Sequence, residues 1–599
     1  DLKYGLSFSI PEQKQEAVEG EARIQFSLQH PQEIILDFRE NADKVKEVSV
    51  TGKPCPYRVL NEHIILPESA SQQDRNEVHI RFTAGDQSLN RNDEYLYTLL
   101  VPDRARTVFP CFEQPNLKAE FTLCLEVPEE WEAVSNTSIQ TESIINGKKH
   151  ITFLPTEPLS TYLFSFVAGK LKKVEYADGE RILTAYHRET DPKKVAQLDI
   201  IFQQVASSLH WLEDYTDIPY PFAKYSFIIL PGFQYGGMEH TGATLYNDTR
   251  MFLSEHPTLD EELARAKLIA HEAAYLWFGD YVTMDWFNDV WTKEVFANYF
   301  AACITEPLFP SVNHSLNWIK TYTAASLAED RTLGSNSIRQ PLDNLRNAGL
   351  IYGNIIYNKA PVMMQKLVEI MGEKADQEGI QEYLKTYAYS NATWDDLITI
   401  LDAKTEEDLV SFSDVWVNQK GMPHITFTNR CGQLEIRQRD PLNRGLIWPQ
   451  RFQITFIGDE NTTVEIDLSQ ETYALTVPVD TKAILPNTDE RGYGLFIPDE
   501  QSRAWLLAHW QEITDDTARQ SLLMLLYENY QHRIITDKEW MNALLNGLKT
   551  EKNALIASTL CSYLGGPMRK LKDEKQEETI WGWTEKHPIA SCRLQLIRC

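Results

Sequence analysis

The sequence lacks any apolar run that approaches the roughly 20 residues needed to cross a bilayer. It opens at Asp1 without a basic stretch followed by an apolar one, so we expect that a signal was removed or that the start was trimmed. Nothing in the residues separates an exported protein from a cytoplasmic one or gives an oligomeric state. Low-complexity tracts are absent and aromatic residues make up 11%, which argues against wholesale disorder.

Positive charge and paired cysteines are also scarce. The chain has 58 Lys and Arg against 86 Asp and Glu, a net charge of −28, which disfavours nucleic acid and anionic membranes as main partners and is typical of a soluble protein. The eight cysteines are scattered without a Cys-x-x-Cys pair, so we interpret them mostly as free thiols.

The chain of 599 residues is too long for one hydrophobic core, and its patterns predict four domains. Alternating apolar and polar residues over 1–172 predict a large antiparallel β-sheet domain, whereas 173–421 mixes amphipathic helices with a buried strand. Alternation returns over 422–503 and favours a small β-sandwich. Residues 504–599 are typical of helical hairpins in a solenoid-like domain, which we expect to be incomplete. The predicted fold class is therefore multidomain α+β.

One stretch of the second domain carries the clearest chemical pattern. It runs from Leu268 to Phe300 and reads LIAHEAAYLWFGDYVTMDWFNDVWTKEVFANYF. Thr258 and Glu261, just ahead of it, have the spacing of a capping box and predict where its first helix begins.

The first helix has part of a zinc-peptidase motif. Positions 271 and 275 lie on one helical face, the spacing at which such enzymes place two histidines on one ion, around a glutamate that polarises the bound water. The chain has His271 and Glu272 in this pattern, but Tyr275 stands where the second histidine is needed. Glu294, nineteen residues later on the next predicted helix, offers a further metal ligand.

These residues and four further segments resemble the gluzincin aminopeptidases, the aminopeptidase N family that includes leukotriene hydrolase. The family's helix typically reads His-Glu-x-x-His-x-Trp-Phe-Gly-Asn, followed by Val-Thr, Trp-Trp-Asn-Asp and Trp-Leu-Asn-Glu-Gly-Phe-Ala. The further segments are RARTVFPCFEQPNLKAEFTL, YGGMEHTGATLY, IIYNKAPVMMQKL and FSDVWVNQKGMP, in the family's order over roughly residues 1–500. The resemblance implies a β-saddle, a thermolysin-like catalytic domain, a β-sandwich and an α-domain. It also implies a zinc enzyme that removes N-terminal residues from peptides.

The resemblance implies one zinc ion held by His271, Glu294 and the residue at 275, with Glu272 as general base. A tyrosine at 275 is longer than histidine, and its phenol, with a pKa of about 10, must lose its proton to bind metal. One interpretation is weak or absent zinc, with Tyr275 filling the space of ligand and metal and its hydroxyl bonded to Glu294 or Glu272. The other is a working site in which Tyr275 is the third ligand. Without zinc, the carboxylates of Glu272 and Glu294 would lie close together, and the repulsion between their like charges would raise the pKa of one of the two.

A second motif is implied to recognise the substrate's N-terminus. The resemblance implies that Glu239, in the segment GGMEH, binds the free α-amine of a peptide through a charge-assisted hydrogen bond. Gly236 and Gly237 would let the peptide run alongside as an added strand. His240 stands at the motif's Asn position, as a polar contact or a stray metal ligand.

Two other positions bear on peptidase activity. Tyr357 matches the family's tyrosine that donates to the tetrahedral oxyanion, and Tyr352 is a nearby competitor. A second amine-binding group is implied five residues before Arg106, where this chain has the apolar Val101. This departure, like Tyr275, weakens the case for hydrolysis.

The expected function is a metallopeptidase of this family whose metal binding and activity are weakened at position 275. The alternative is a catalytically inactive relative that binds peptides at the same site. Retention of four family residues favours the first hypothesis: Glu239, Glu272, Glu294 and Tyr357. Tyr275 and Val101 favour the second. Peptides with a free N-terminus are the expected partners.

Overall fold

The structure is a computed structural model and describes residues 2–571, 578–583 and 587–596. The chain forms two compact units, each built from separate segments. The first unit contains residues up to 309, 341–352 and 371–406. The second contains residues 310–340, 353–370 and those from 407 onward.

The N-terminal region is β-rich because its residues alternate between a buried and a more exposed face, as in the burial pattern of residues 120–128. Its strands are β1 (Lys3–Ser9), β2 (Glu19–Leu28), β3 (Ile34–Asp37), β4 (Val45–Val50), β5 (Lys53–Pro54), β6 (Arg58–Leu60), β7 (His63–Leu66), β8 (Asp74–Thr83), β9 (Leu89–Arg91), β10 (Tyr95–Thr98), β11 (Glu120–Pro128), β12 (Glu132–Ser135), β13 (Ile139–Ile145), β14 (Lys148–Phe153) and β15 (Phe166–Gly169). They form an eight-stranded sheet in the order β13-β14-β11-β1-β2-β8-β4-β5, a four-stranded sheet β12-β15-β10-β9 and a three-stranded sheet β3-β7-β6. The large sheet is antiparallel except where β1 pairs with β11.

A five-stranded sheet supports the candidate site. Its strands are β16 (Lys172–Asp178), β17 (Arg181–His187), β18 (Tyr225–Leu230), β19 (Gly237–Met238) and β20 (Thr244–Asn247), in the order β16-β17-β18-β20-β19. The predicted buried strand is β18, which is buried at every residue. The edge strand β19 pairs antiparallel with β20, with Met238 opposite Leu245. Two further strands, β21 (Thr283–Met284) and β22 (Asn391–Ala392), form a short parallel pair.

The helices are distributed over both compact units. They are α1 (Pro192–Val195), α2 (Leu198–Thr216), α3 (Asp248–Met251), α4 (Leu259–Tyr275), α5 (Trp291–Thr305), α6 (His314–Trp318), α7 (Ala324–Asp330), α8 (Ala360–Met371), α9 (Glu373–Thr386), α10 (Trp394–Asp402), α11 (Leu409–Trp416), α12 (Glu500–His509), α13 (Asp516–Gln531), α14 (Asp537–Thr550), α15 (Ala554–Leu571) and α16 (Ala590–Leu596). The capping box predicted at the start of α4 is confirmed, with both Thr258–Glu261 hydrogen bonds present. Helix α4 packs against α5 and α2.

The second unit contains a β-sandwich and a helical region. The strands are β23 (His424–Arg430), β24 (Gln433–Arg439), β25 (Arg451–Ile457), β26 (Thr462–Asp467), β27 (Thr472–Thr476), β28 (Ala483–Leu485) and β29 (Leu495–Ile497). Sheets β27-β24-β23-β29 and β26-β25-β28 share one core, to which Leu434 and Phe452 contribute from opposite sides. Helices α12 to α15 pack around the buried indoles of Trp510 and Trp540.

The predicted α+β class, with a β-rich N-terminal region and a helical C-terminal region, is confirmed. The four domain boundaries stay a prediction. Among the described residues, no helix combines the length and apolar character needed to cross a bilayer.

Candidate active site

Helices α4 and α5 bring the motif residues together. His271 and Tyr275 are one turn apart at the end of α4, so their rings meet edge to face with centroids 4.7 Å apart. Glu294 lies in the first turn of α5 and is buried. The Tyr275 hydroxyl donates a hydrogen bond to Glu294 Oε2. Glu294 is one of the two partners that the sequence analysis gives for this hydroxyl, and the structure has this hydrogen bond.

A buried lysine lies among the carboxylates of the site. Lys293 Nζ is 2.7 Å from Glu239 Oε1 and 3.7 Å from Glu294 Oε1. The Lys293 and Glu239 side chains are each 4% exposed, so the pair is withdrawn from solvent. The ammonium also lies 4.9 Å from the ring centroid of Tyr275 and 5.2 Å from that of Tyr162, within the range of a cation–π interaction.

The sequence interpretation missed Lys293, although a signal for it was present. The family's pattern Trp-Leu-Asn-Glu-Gly has an asparagine directly before the glutamate, and this chain has Lys293 there. A lysine beside a glutamate is usually a solvated surface pair, so the departure alone does not indicate a buried ammonium. Its partner Glu239 is 54 residues away in the chain, and only the fold brings the two together.

Burial and the Lys293 ammonium act in opposite directions on the pKa values of the surrounding carboxylates. Burial alone would raise the pKa of Glu239, but the adjacent ammonium outweighs burial and holds that pKa below its ordinary value. Burial raises the pKa of Glu294 to about 7, although Lys293 and the Tyr275 hydroxyl oppose the rise. Burial, and then the charges of Glu239 and Glu294, raise the pKa of Glu272 well above its ordinary value. The raised pKa favours the protonated form of Glu272, which is the form that cannot act as a general base.

Strand β19 passes so close to α4 that it needs glycine at position 237. A Cβ built on Gly237 would lie 2.5 Å from Glu272 Cδ, whereas one on Gly236 would lie 3.3 Å from Leu268 Cδ1. Gly237 is thus required by the packing of Glu272, which is a separate reason from the predicted approach of a peptide. The buried Glu272 Oε2 has no hydrogen-bond partner among the described residues. The peptide contacts of Gly236 and Gly237 stay a prediction.

The two histidines of the site are neutral. Burial lowers the pKa of both His271 and His240 to about 4. His271 hydrogen-bonds the side chain of Asn298. His240 is fully buried, and in the described part of the chain neither of its ring nitrogens has a hydrogen-bond partner. Its roles as a polar contact or a stray metal ligand stay predictions.

The side chains of the site do not fit a zinc ion. Over residues 2–571, 578–583 and 587–596, no group of three or more His, Cys, Asp and Glu side chains is arranged to hold a metal. His271 is a suitable neutral donor, but Glu294 already accepts from Tyr275 and lies beside Lys293. A dication would have to break that hydrogen bond and would be repelled by the buried ammonium. Zinc ligation by His271, Tyr275 and Glu294 stays a prediction that this geometry disfavours.

The two tyrosines considered for the oxyanion lie in different units. Tyr352 belongs to the first unit, where burial raises the pKa of its phenol and Lys293 opposes the rise. Tyr357 belongs to the second unit, within the π-helical turn Ile355–Lys359, and is 38% exposed. The oxyanion role of Tyr357 stays a prediction. Val101 is buried and has no polar side-chain atom to accept an amine.

Two family models match the chain. Residues 2–163 match the peptidase M1 N-terminal domain and residues 201–416 match the peptidase family M1 domain, and together these ranges span more than half of the sequence. The chain belongs to peptidase family M1.

Several relatives of this M1 chain carry aminopeptidase names. Aminopeptidase N of Streptomyces lividans is 28% identical over 78% of this chain and 57% of the relative. Aminopeptidase M1-A of Oryza sativa subsp. japonica is 30% identical over 58% of this chain and 39% of the relative. The puromycin-sensitive aminopeptidase of Caenorhabditis elegans is 29% identical over 63% of this chain and 39% of the relative. The M1 chain thus matches less than two thirds of the length of these relatives.

Proposed function

We propose that this M1 chain is an aminopeptidase-type protein that binds peptides beside β19 and hydrolyses them weakly or not at all. The proposal rests on the hydrogen bond from the Tyr275 hydroxyl to Glu294. The Glu294 carboxylate, which a metal would need as a ligand, is engaged by this bond. The donor, Tyr275, stands where a second histidine is expected. Loss of a partner behind a metal ligand already lowers metal affinity about 10–100-fold, and loss of a ligand itself lowers it further.

The geometry of β19 supports peptide binding. β19 is the last strand of its sheet and pairs only with β20 among the described strands. An extended peptide can add to such an edge through main-chain hydrogen bonds. Glu239 follows β19 directly and has its carboxylate in the site. Because the relatives above are named aminopeptidases, peptides are the ligand class that we propose.

The second candidate function is a working zinc aminopeptidase with an altered ligand set. It is supported by the presence of His271, Glu272 and Glu294 at the spacing of the motif, on two helices that pack together. For this function Glu272 must lose its proton to act as general base, and the charges of Glu239 and Glu294 oppose that loss.

Metal content and turnover separate the two candidates. Protein prepared without chelator should contain far less than one zinc per chain. Its turnover of aminoacyl fluorogenic substrates should match that of a Glu272→Gln variant, while calorimetry detects peptide binding. About one zinc per chain, with turnover that Glu272→Gln abolishes, would contradict the proposal and support the working peptidase.

A further inference from the structure

The surroundings of Lys293 Nζ form a pocket of the kind that recognises ammonium groups. We define this ammonium pocket by the carboxylates of Glu239 and Glu294 and the rings of Tyr275 and Tyr162. A carboxylate at 2.7 Å supplies a charge-assisted hydrogen bond, and the two aromatic faces supply cation–π attraction. The chain fills this pocket with its own ammonium.

The α-amine of a peptide and the ε-amine of lysine are the same chemical group in this setting. Each is a primary ammonium with three donors and no acceptor. Glu239 Oε1 is already engaged by Lys293 at 2.7 Å, and the pair is 4% exposed on both sides. An incoming amine would have to displace Lys293 and leave a second ammonium unpaired in the buried site, which is strongly unfavourable. The tethered lysine also has an effective concentration in roughly the millimolar range or above, so a dilute free amine competes poorly.

We propose that Lys293 is a built-in occupant of the ammonium pocket, so that the site does not select peptides by a free N-terminus. It would accept extended segments whose N-terminus is blocked or lies elsewhere. This inference rests on the proposed peptide binding and makes its ligand class more specific.

The first experiment examines the pocket without any peptide. Lys293→Ala removes the ammonium and three methylene groups, a gap that n-propylammonium matches. Thermal unfolding is measured in n-propylammonium chloride and in sodium chloride of equal ionic strength. We expect the amine to raise the midpoint of Lys293→Ala by about 1–2 °C, and to change the wild type little.

Two variants serve as controls for this experiment. Lys224→Ala removes a partly buried lysine, whose Nζ donates to Ser226 Oγ at 2.8 Å and not to a carboxylate, so it should show no amine response. Glu239→Gln combined with Lys293→Ala removes both charges of the Lys293–Glu239 pair. This double variant should also show no amine response. An equal amine response in all variants, or none in Lys293→Ala, would overturn the proposal.

The second experiment compares two peptides of one sequence, one with a free N-terminus and one acetylated. Calorimetry should give the wild type affinities for the two that agree within about threefold, and give Lys293→Ala a preference for the free amine of about tenfold or more. A tenfold preference for the free amine in the wild type would refute the proposal even if Lys293→Ala fails to fold. If neither protein binds either peptide, the proposed peptide binding is wrong, and the amine response still decides whether Lys293 occupies the pocket.

Discussion

Tyr275 and Lys293 satisfy two carboxylates of the site from within the chain. Tyr275 donates a hydrogen bond to Glu294, and the Lys293 ammonium forms an ion pair with Glu239. A carboxylate buried without such a partner would take up a proton or destabilise the fold. Glu294 and Glu239 therefore have partners within the chain, without an added metal ion or peptide amine.

The Lys293–Glu239 pair should show strong thermodynamic coupling. Lys293→Met leaves the buried Glu239 charge without its partner and should lower the free energy of unfolding by about 3–5 kcal/mol. Adding Glu239→Gln removes the stranded charge, so the double variant should lose less than the two single losses combined. Urea unfolding of the wild type, both single variants and the double variant measures this. Additive losses would mean that the two charges do not depend on each other.

Gly237 in β19 and Gly236 directly before it should respond differently to one added methyl group. Gly237→Ala puts a Cβ against Glu272 and should destabilise the protein by about 1–3 kcal/mol. Gly236→Ala meets only the flexible end of Leu268 and should cost less than about 1 kcal/mol, which makes it the matched control. Urea unfolding gives both values. Equal losses would mean that Glu272 is not packed against β19.

Among the elements, the long amphipathic ones were predictable and the weakly buried ones were not. α4 was predicted together with its start, because the Thr258–Glu261 box is a local signal. β16 was not predicted, because it is an edge strand with few buried positions and so lacks strong alternation. The edge position of β19 could not be predicted from two residues, since it depends on the order of strands in the sheet.

The contact between helices α9 and α2 should depend on pH through Asp376. Asp376 Oδ2 accepts a hydrogen bond of 2.8 Å from the Tyr215 hydroxyl, and burial raises the pKa of Asp376 to about 6. The folded state thus keeps a proton that the unfolded state releases near pH 4, so this group lowers stability as pH rises from about 4 to about 6.

Asp376→Asn should remove that loss. The variant should be more stable than the wild type by on the order of 1–3 kcal/mol at pH 7, with the difference shrinking towards pH 4. Urea unfolding at several pH values measures this, and Asp199→Asn, at an exposed position in the first turn of α2, is the control. A pH-independent difference for Asp376→Asn would contradict the assignment.

At the scale of the whole molecule, each compact unit is built from segments that are not consecutive in the sequence. Local periodicity predicts four consecutive domains, which stay a prediction, and it gives no sign that segments 310–340 and 353–370 belong to the second compact unit. Periodicity reports which face of an element is buried but not which distant segment covers it. The same limit applied at the site, where Tyr275 was identified from helical spacing and Lys293 was not.

A zinc titration of metal-free protein tests most directly whether the site is satisfied from within the chain. Calorimetry should detect no zinc binding at this site in the wild type, so the wild type and Glu294→Gln should give the same titration. Tyr275→His combined with Lys293→Asn should bind about one zinc per chain, because it supplies the missing ligand and removes the competing charge. Binding of one zinc by the wild type, lost in Glu294→Gln, would contradict the role of Tyr275 and Lys293 as internal partners of these carboxylates.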